Sequence, residues 1–221
     1  MNLLYSQYSN PIPLEEGCIC SIVIENQSEF RMLIKDIQGQ LNDEPGNCVL
    51  SGGGKPISIS KYAEMFCQIT PFPCNRKTLL SRAISSIEHR ANETEYFERS
   101  RWVFAEVELL LQELCEDYPL TFEGDKLTIS SLLKQVNLSV EETAENDLDA
   151  ILSYMDMVAE FEREKLFIFV NMRSYFSDEE LAEFFYTTHL RKHRVLMIEG
   201  SEHPLLPKEK RIIIDGDLCE I

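Results

Sequence analysis

Leu166-Phe167-Ile168-Phe169-Val170-Asn171 is the stretch that decides the fold. Its five apolar residues are mostly β-branched or aromatic, and they stop abruptly at an amide. A run without polar and apolar alternation must be covered on both faces, which is the condition of a central strand in a parallel sheet. The residues that follow agree. Ser177-Asp178-Glu179-Glu180 reads as a capping box, with Ser177 at the N-cap and Glu180 reaching back. Leu181, Phe184, Phe185 and Leu190 then supply an apolar helical face. Val195-Leu196-Met197-Ile198 is a second apolar run and ends at Glu199. Strand, helix and strand in this order make a βαβ unit with a right-handed crossover.

Upstream of that strand the pattern is helical. A helix beginning at Thr143 or Asn146 carries Leu148, Ile151, Leu152, Met155, Val158 and Ala159 on one face and runs straight into Leu166. Residues 128–136 read as a short helix. Leu80, Ile84, Ile87 and Ala91 are spaced 4, 3 and 4, and Val103, Val107, Leu110 and Leu114 repeat that spacing out of phase with them. The spacing predicts two helices, or one long kinked helix, broken within Asn92-Glu93-Thr94-Glu95. Lys61 to Ile69 is expected to be a short helix stopped by Pro71 and Pro73.

The first sixty residues read as strands and loops around one helix. Pro11-Ile12-Pro13-Leu14 and Cys18 to Ile24 are expected to pair as a hairpin across Glu15-Glu16-Gly17. Phe30, Leu33, Ile34 and Ile37 have helical spacing, with Ser28 as a candidate N-cap. Gly52-Gly53-Gly54-Lys55-Pro56 is a turn before a small alternating strand, Ile57-Ser58-Ile59. The fold class is therefore α/β, a P-loop-like head with an inserted helical leg domain. The head is expected from 1–60 and 165–221 and the leg from 61–164.

The glycine turn lacks the chemistry of a nucleotide loop. A phosphate cradle needs G-x-x-x-x-G-K-[ST] leading into a helix. Counting back from Gly54, the first glycine falls on Val49, and Lys55 is followed by Pro56. Asn171 also stands where the metal-side acid of such an enzyme is wanted. The four histidines, at 89, 189, 193 and 203, form no H-E-x-x-H pair, and no G-x-S-x-G elbow is present. No catalytic constellation emerges, although the acids of 116–125 could hold magnesium as in a nuclease.

Charge and cysteine usage bound the rest. The seven cysteines include no zinc-type pairs and are expected to be reduced thiols. The N-terminus lacks a charged segment leading into a long apolar one, and no run approaches a membrane span, so a cytoplasmic protein is expected. The formal net charge is −17, yet residues 106–164 hold sixteen acids against three bases, leaving a net of only −4 elsewhere. The acidity is mostly local, so a basic surface for nucleic acid remains open beside the alternative of an acidic protein-binding scaffold.

Taken in order, these segments resemble the CRISPR-associated type II-A spacer-acquisition protein, the Csn-two family. The residues concerned are Asn75 with Thr78-Leu79-Leu80 entering a long helix, Asn92-Glu93 at its break, Leu127 to Lys134, Val140-Glu141, Lys165 to Asn171 and the Ser177 helix. The resemblance covers most of 60–200 and rests on the ordered set, not on one motif. It implies a ring-shaped homotetramer whose hole accepts double-stranded DNA ends, bound calcium, and partnership with the spacer-integration complex and the type II-A effector nuclease, without catalysis. On this resemblance Glu116, Glu123 and Asp125 are candidate calcium ligands. They sit in an oxygen-rich loop of the kind a hard cation takes, with a solvated acidic loop as the plain alternative. Arg76, Lys77, Arg82 and Arg90 on the first long helix, with Lys134, are the candidate DNA-binding residues. A solvated helix face is the plain alternative there.

Overall fold

The computed structural model describes the chain apart from residues 9, 75–76, 94, 121–126, 141–143, 145 and 163. Contacts divide it into two compact units, Met1–Pro73 with Thr143–Ile221, and Cys74–Glu142.

The first unit is built on the strand read from Leu166. Strand β7 (Leu166–Val170) lies second in a five-stranded sheet with β6 (Ala63–Phe66), β8 (Arg194–Glu199), β3 (Ile19–Ile24) and β9 (Glu209–Ile214), in the order β6-β7-β8-β3-β9. Every pairing in it is parallel. All five residues of β7 are at most 6% exposed. Each such side chain contributes on the order of 1.5–3 kcal/mol by leaving water.

Parity along the strands separates two cores. Cys20, Ile22, Ile24, Leu166, Ile168, Val170, Leu196 and Ile198 share one core with Leu33 and Ile37 of helix α1 (Gln27–Leu41). A small antiparallel sheet closes that side: β2 (Ile12–Pro13), β1 (Asn2–Tyr5), β4 (Cys48–Gly52) and β5 (Lys55–Ile57), in that order. The alternate residues make the second core. Phe66 stacks on Phe169 at 5.2 Å and meets Tyr154 edge-on, while Phe169 meets Phe184 edge-on. Tyr154 belongs to helix α6 (Asp147–Phe161) and Phe184 to helix α7 (Asp178–Arg191).

Local signals set the helix ends. The Ser177 capping box forms in both directions, with Glu180 N to Ser177 Oγ at 3.3 Å and Ser177 N to Glu180 Oε2 at 2.8 Å. Asn146 caps α6. Asn26, not Ser28, caps α1, since its Oδ1 accepts from the amides of both Ser28 and Glu29.

Four expectations are corrected. The hairpin of 11–24 does not form: β2 pairs with β1, while β3, apolar on both faces, joins the parallel sheet. Helix over 61–69 is replaced by a single turn, α2 (Ile59–Tyr62), and then strand β6, because Ala63–Phe66 pairs with β7. The small strand after the glycine turn ends at Ile57, because Ser58 caps α2. The units divide near 74 and 142 instead of 61 and 164, because β6 lies in the sheet and α6 buries Ile151, Tyr154, Met155 and Val158 in the first unit.

The second unit is helical. The seams at 80–91 and 103–114 fall in separate helices, α3 (Lys77–Glu93) and α4 (Tyr96–Cys115), broken where the two patterns lose phase. Helix α5 (Ile129–Gln135), capped by Thr128, packs on α3.

Candidate nucleic-acid interface

The helical unit carries the basic residues that the sequence singles out. Lys77 is the first residue of α3 and is exposed; Arg82 is half-buried and Arg90 exposed further along the same helix. At about 100° per residue, Arg82 and Arg90 lie roughly 80° apart around the helix, and Lys77 roughly 140° from each. Position on α3 alone therefore does not align them in a single stripe. Lys134 is exposed on α5. Arg76 lies outside the described residues.

Two further arginines belong to this set. Arg99 and Arg101, both exposed, sit in the first turns of α4. The Arg90 guanidinium lies over the Tyr96 ring at 5.5 Å, and that of Arg101 over Phe97 at 5.6 Å. Arg90, Arg99 and Arg101 thus flank the α3–α4 junction in sequence, with aromatic rings against two of the guanidinium groups. The signal was present as Arg99-Ser100-Arg101, but it sits in a helix whose later turns are acidic. Beside it lies a cleft of about 200 Å³ lined by Tyr96, Arg99, Ser100, Val103, Phe104, Ile129 and Leu132.

Of the candidate calcium ligands only Glu116 is placed, exposed at the C-cap of α4; Glu123 and Asp125 lie outside the described residues. Glu113, Glu116 and Asp117 offer carboxylate oxygens, the hard donors calcium takes. Among the described residues no three acidic, histidine or cysteine side chains are gathered as a metal site.

Neither the glycine turn nor the end of β3 is a phosphate cradle. Gly53 and Gly54, at φ +57° and +77°, make the tight turn of the β4–β5 hairpin, and Lys55 pairs with Gly52 within it. At the end of β3, where a phosphate would meet a helix N-terminus, the first amides of α1 are already bonded to Asn26. The buried carboxylate of Glu29 adds negative charge to the same turn. Asn171 is structural: in the left-handed region at φ +54°, it accepts the Gly200 amide at 3.0 Å and ties the ends of β7 and β8.

Among the described residues no helix is long and apolar enough to cross a membrane. The chain is similar to the crystal structure of Stu0660 of Streptococcus thermophilus, with a TM-score of 0.59 at 15% identity over 91% of this chain and 69% of that one. That likeness speaks for the α/β fold. A protein described as an ABC transporter (ATP-binding protein) from Pyrococcus furiosus aligns over 96% of this chain and 97% of its own at 11% identity, but its TM-score of 0.39 is too low for a shared fold. The family model described as CRISPR-associated protein (Cas_Csn2) matches residues 24–218, which takes in the helical unit and, of the parallel sheet, strands β6, β7, β8 and β9 with the last residue of β3. The chain belongs to this CRISPR-associated family.

Proposed function

We propose that the chain is a non-enzymatic, calcium-dependent clamp on double-stranded DNA ends, acting as a ring-shaped homotetramer in spacer acquisition with the integration complex and the type II-A effector nuclease. The observation that carries the reading is the family match over residues 24–218. Three features support it. The α3–α4 junction presents Arg90, Arg99 and Arg101 to solvent on a chain of net charge −17, and phosphate contacts need only positive charge at a suitable pitch. Helix α4 buries none of its residues and exposes Trp102, Leu109, Leu110 and Leu114, the kind of surface that further copies of a chain cover. The N-terminus of α1 has its amides engaged, which weighs against the rival reading of a nucleotide hydrolase.

Calcium would be held by Glu116 together with Glu123 and Asp125, and would offset the repulsion among the acids of residues 106–164. DNA binding of this kind depends on salt and is blind to base sequence. The experiment is a titration of linear duplex of two unrelated sequences over a salt series, with calcium or with chelator. Equal affinities that fall steeply with salt, and that need calcium, are expected. Absence of binding at low salt would favour an acidic scaffold that contacts only protein.

A further inference from the structure

Helices α4 and α5 both pack on α3, and a cleft of about 200 Å³ lies between them, within the second unit. One wall is a single face of α4. Tyr96, Arg99, Ser100, Val103 and Phe104 recur at the three- and four-residue steps that bring side chains to one side of a helix. Ile129 and Leu132, one turn apart on α5, make the other wall.

The walls are apolar and reachable. Tyr96, Val103 and Leu132 are 39%, 37% and 38% exposed, and Phe104 and Ile129 are half-buried. Two polar groups stand in this lining without an internal use. Among the described residues Arg99 forms no ion pair and the Ser100 hydroxyl no hydrogen bond. An uncommitted guanidinium is notable on a chain of net charge −17. The volume falls short of the ~300 Å³ at which sites for drug-sized ligands begin, so the cleft suits a single flat ring system. Aromatic and aliphatic walls suit a planar base, a hydroxyl suits its polar edge, and a guanidinium suits the phosphate attached to it. An aliphatic side chain from a protein partner would leave Arg99 and Ser100 without a counterpart.

We propose that this cleft holds one unpaired nucleotide at the end of a DNA duplex, with the base against Tyr96 and Phe104, the phosphate on Arg99 and the Ser100 hydroxyl at the base edge. The inference rests on the DNA-end reading given above and deepens it by naming the kind of end that is taken. A paired base is held in the helix stack, whereas an unpaired one leaves it at small cost. Stacking on aromatic side chains accepts any base, since every base has a π-face.

The test follows anisotropy of the full-length chain with labelled duplexes at one salt concentration, with calcium present. The duplexes end in a single projecting adenosine or in a projecting abasic residue, at the 3′ ends or at the 5′ ends, and a blunt duplex is the reference. At one of the two polarities wild type should bind the adenosine end roughly tenfold tighter than the abasic end, which is within the range of one base–aromatic stack. Val103→Phe fills the cleft from α4 and Leu132→Trp fills it from α5, both at partly exposed positions. Each should abolish the tenfold preference and keep the affinity for the blunt duplex. Equal binding of adenosine and abasic ends by wild type at both polarities, or a preference that survives either substitution, overturns the cleft and leaves the clamp reading standing. No binding of any duplex by wild type at low salt overturns both.

Discussion

Tyr154 of α6 donates its hydroxyl to the Glu64 carboxylate of β6 across 2.6 Å, in the interior of the first unit. The bond fastens the edge strand to the helix that leads into the central strand. Lys165 stands 3.7 Å from the same carboxylate, so a buried acid is held by a hydroxyl and an ammonium together. A hydrogen bond to a charged group contributes about 1.5–3 kcal/mol. Tyr154→Phe, which keeps the ring packing against Phe66 and Phe72, should lower stability by an amount in that range. Denaturant unfolding of the two proteins measures it, and an unchanged midpoint would show that the bond contributes nothing.

Gly17 and Gly53 both have positive φ, but only Gly17 is crowded: a Cβ there would sit 2.8 Å from the His189 carbonyl oxygen, whereas Gly53 has nothing within 4 Å. The close approach lets Gly17 O meet His189 Nδ1 at 2.7 Å, fastening the loop before β3 to the end of α7. Gly53→Ala should cost about 1 kcal/mol, the backbone penalty alone. Gly17→Ala should cost more, since backbone must also shift. Thermal unfolding of the pair separates the two contributions, and equal melting temperatures would contradict the steric account.

Glu199, buried at the end of β8, accepts the Arg173 amide at 3.2 Å, and burial pushes its carboxyl up from 4.5 to about 7. Arg173 lowers it and Glu209 raises it further, but desolvation is the largest cause. A carboxyl raised on folding binds its proton more tightly in the folded chain. Its contribution is therefore full below about pH 4.5, falls as the pH climbs towards 7, and is gone above that. The loss is on the order of 3 kcal/mol. Glu199→Gln should flatten this part of the stability profile and stabilise the chain at pH 8. A variant profile parallel to wild type would refute the assignment.

Glu116 should matter to calcium and not to folding, because it is exposed at the C-cap of α4. Glu116→Gln is expected to raise the calcium concentration needed for duplex retention by several-fold, through loss of one charged ligand. Calcium titration at fixed DNA reads this directly; an unchanged midpoint would remove Glu116 from the ligand set.

Much of both units was legible because the signals are local. The unbroken run at Leu166, the Ser177 box and the loss of phase at residues 92–95 each correspond to an element or a boundary. Strand β6 was hidden because Ala63-Glu64-Met65-Phe66 alternates too little to differ from a helical turn, and only its pairing with β7 makes it a strand. The expected hairpin of 11–24 failed for the opposite reason. Nearness in sequence suggests pairing, but Leu14 N bonds to Met1 O and Ile12 lies opposite Leu3. The basic residues were partly legible as charge. Their arrangement was not, because α3 by itself spreads Lys77, Arg82 and Arg90 around its circumference, and the seating of Arg90 on Tyr96 of α4 shows only in the structure.

The most direct test of the clamp is retention of linear and covalently closed circular plasmid of one sequence, in calcium and in chelator. Retention of the linear form only, lost with chelator, is predicted for a ring threaded from a DNA end and held by a structural metal. Equal retention of both forms, whatever the calcium, would contradict it.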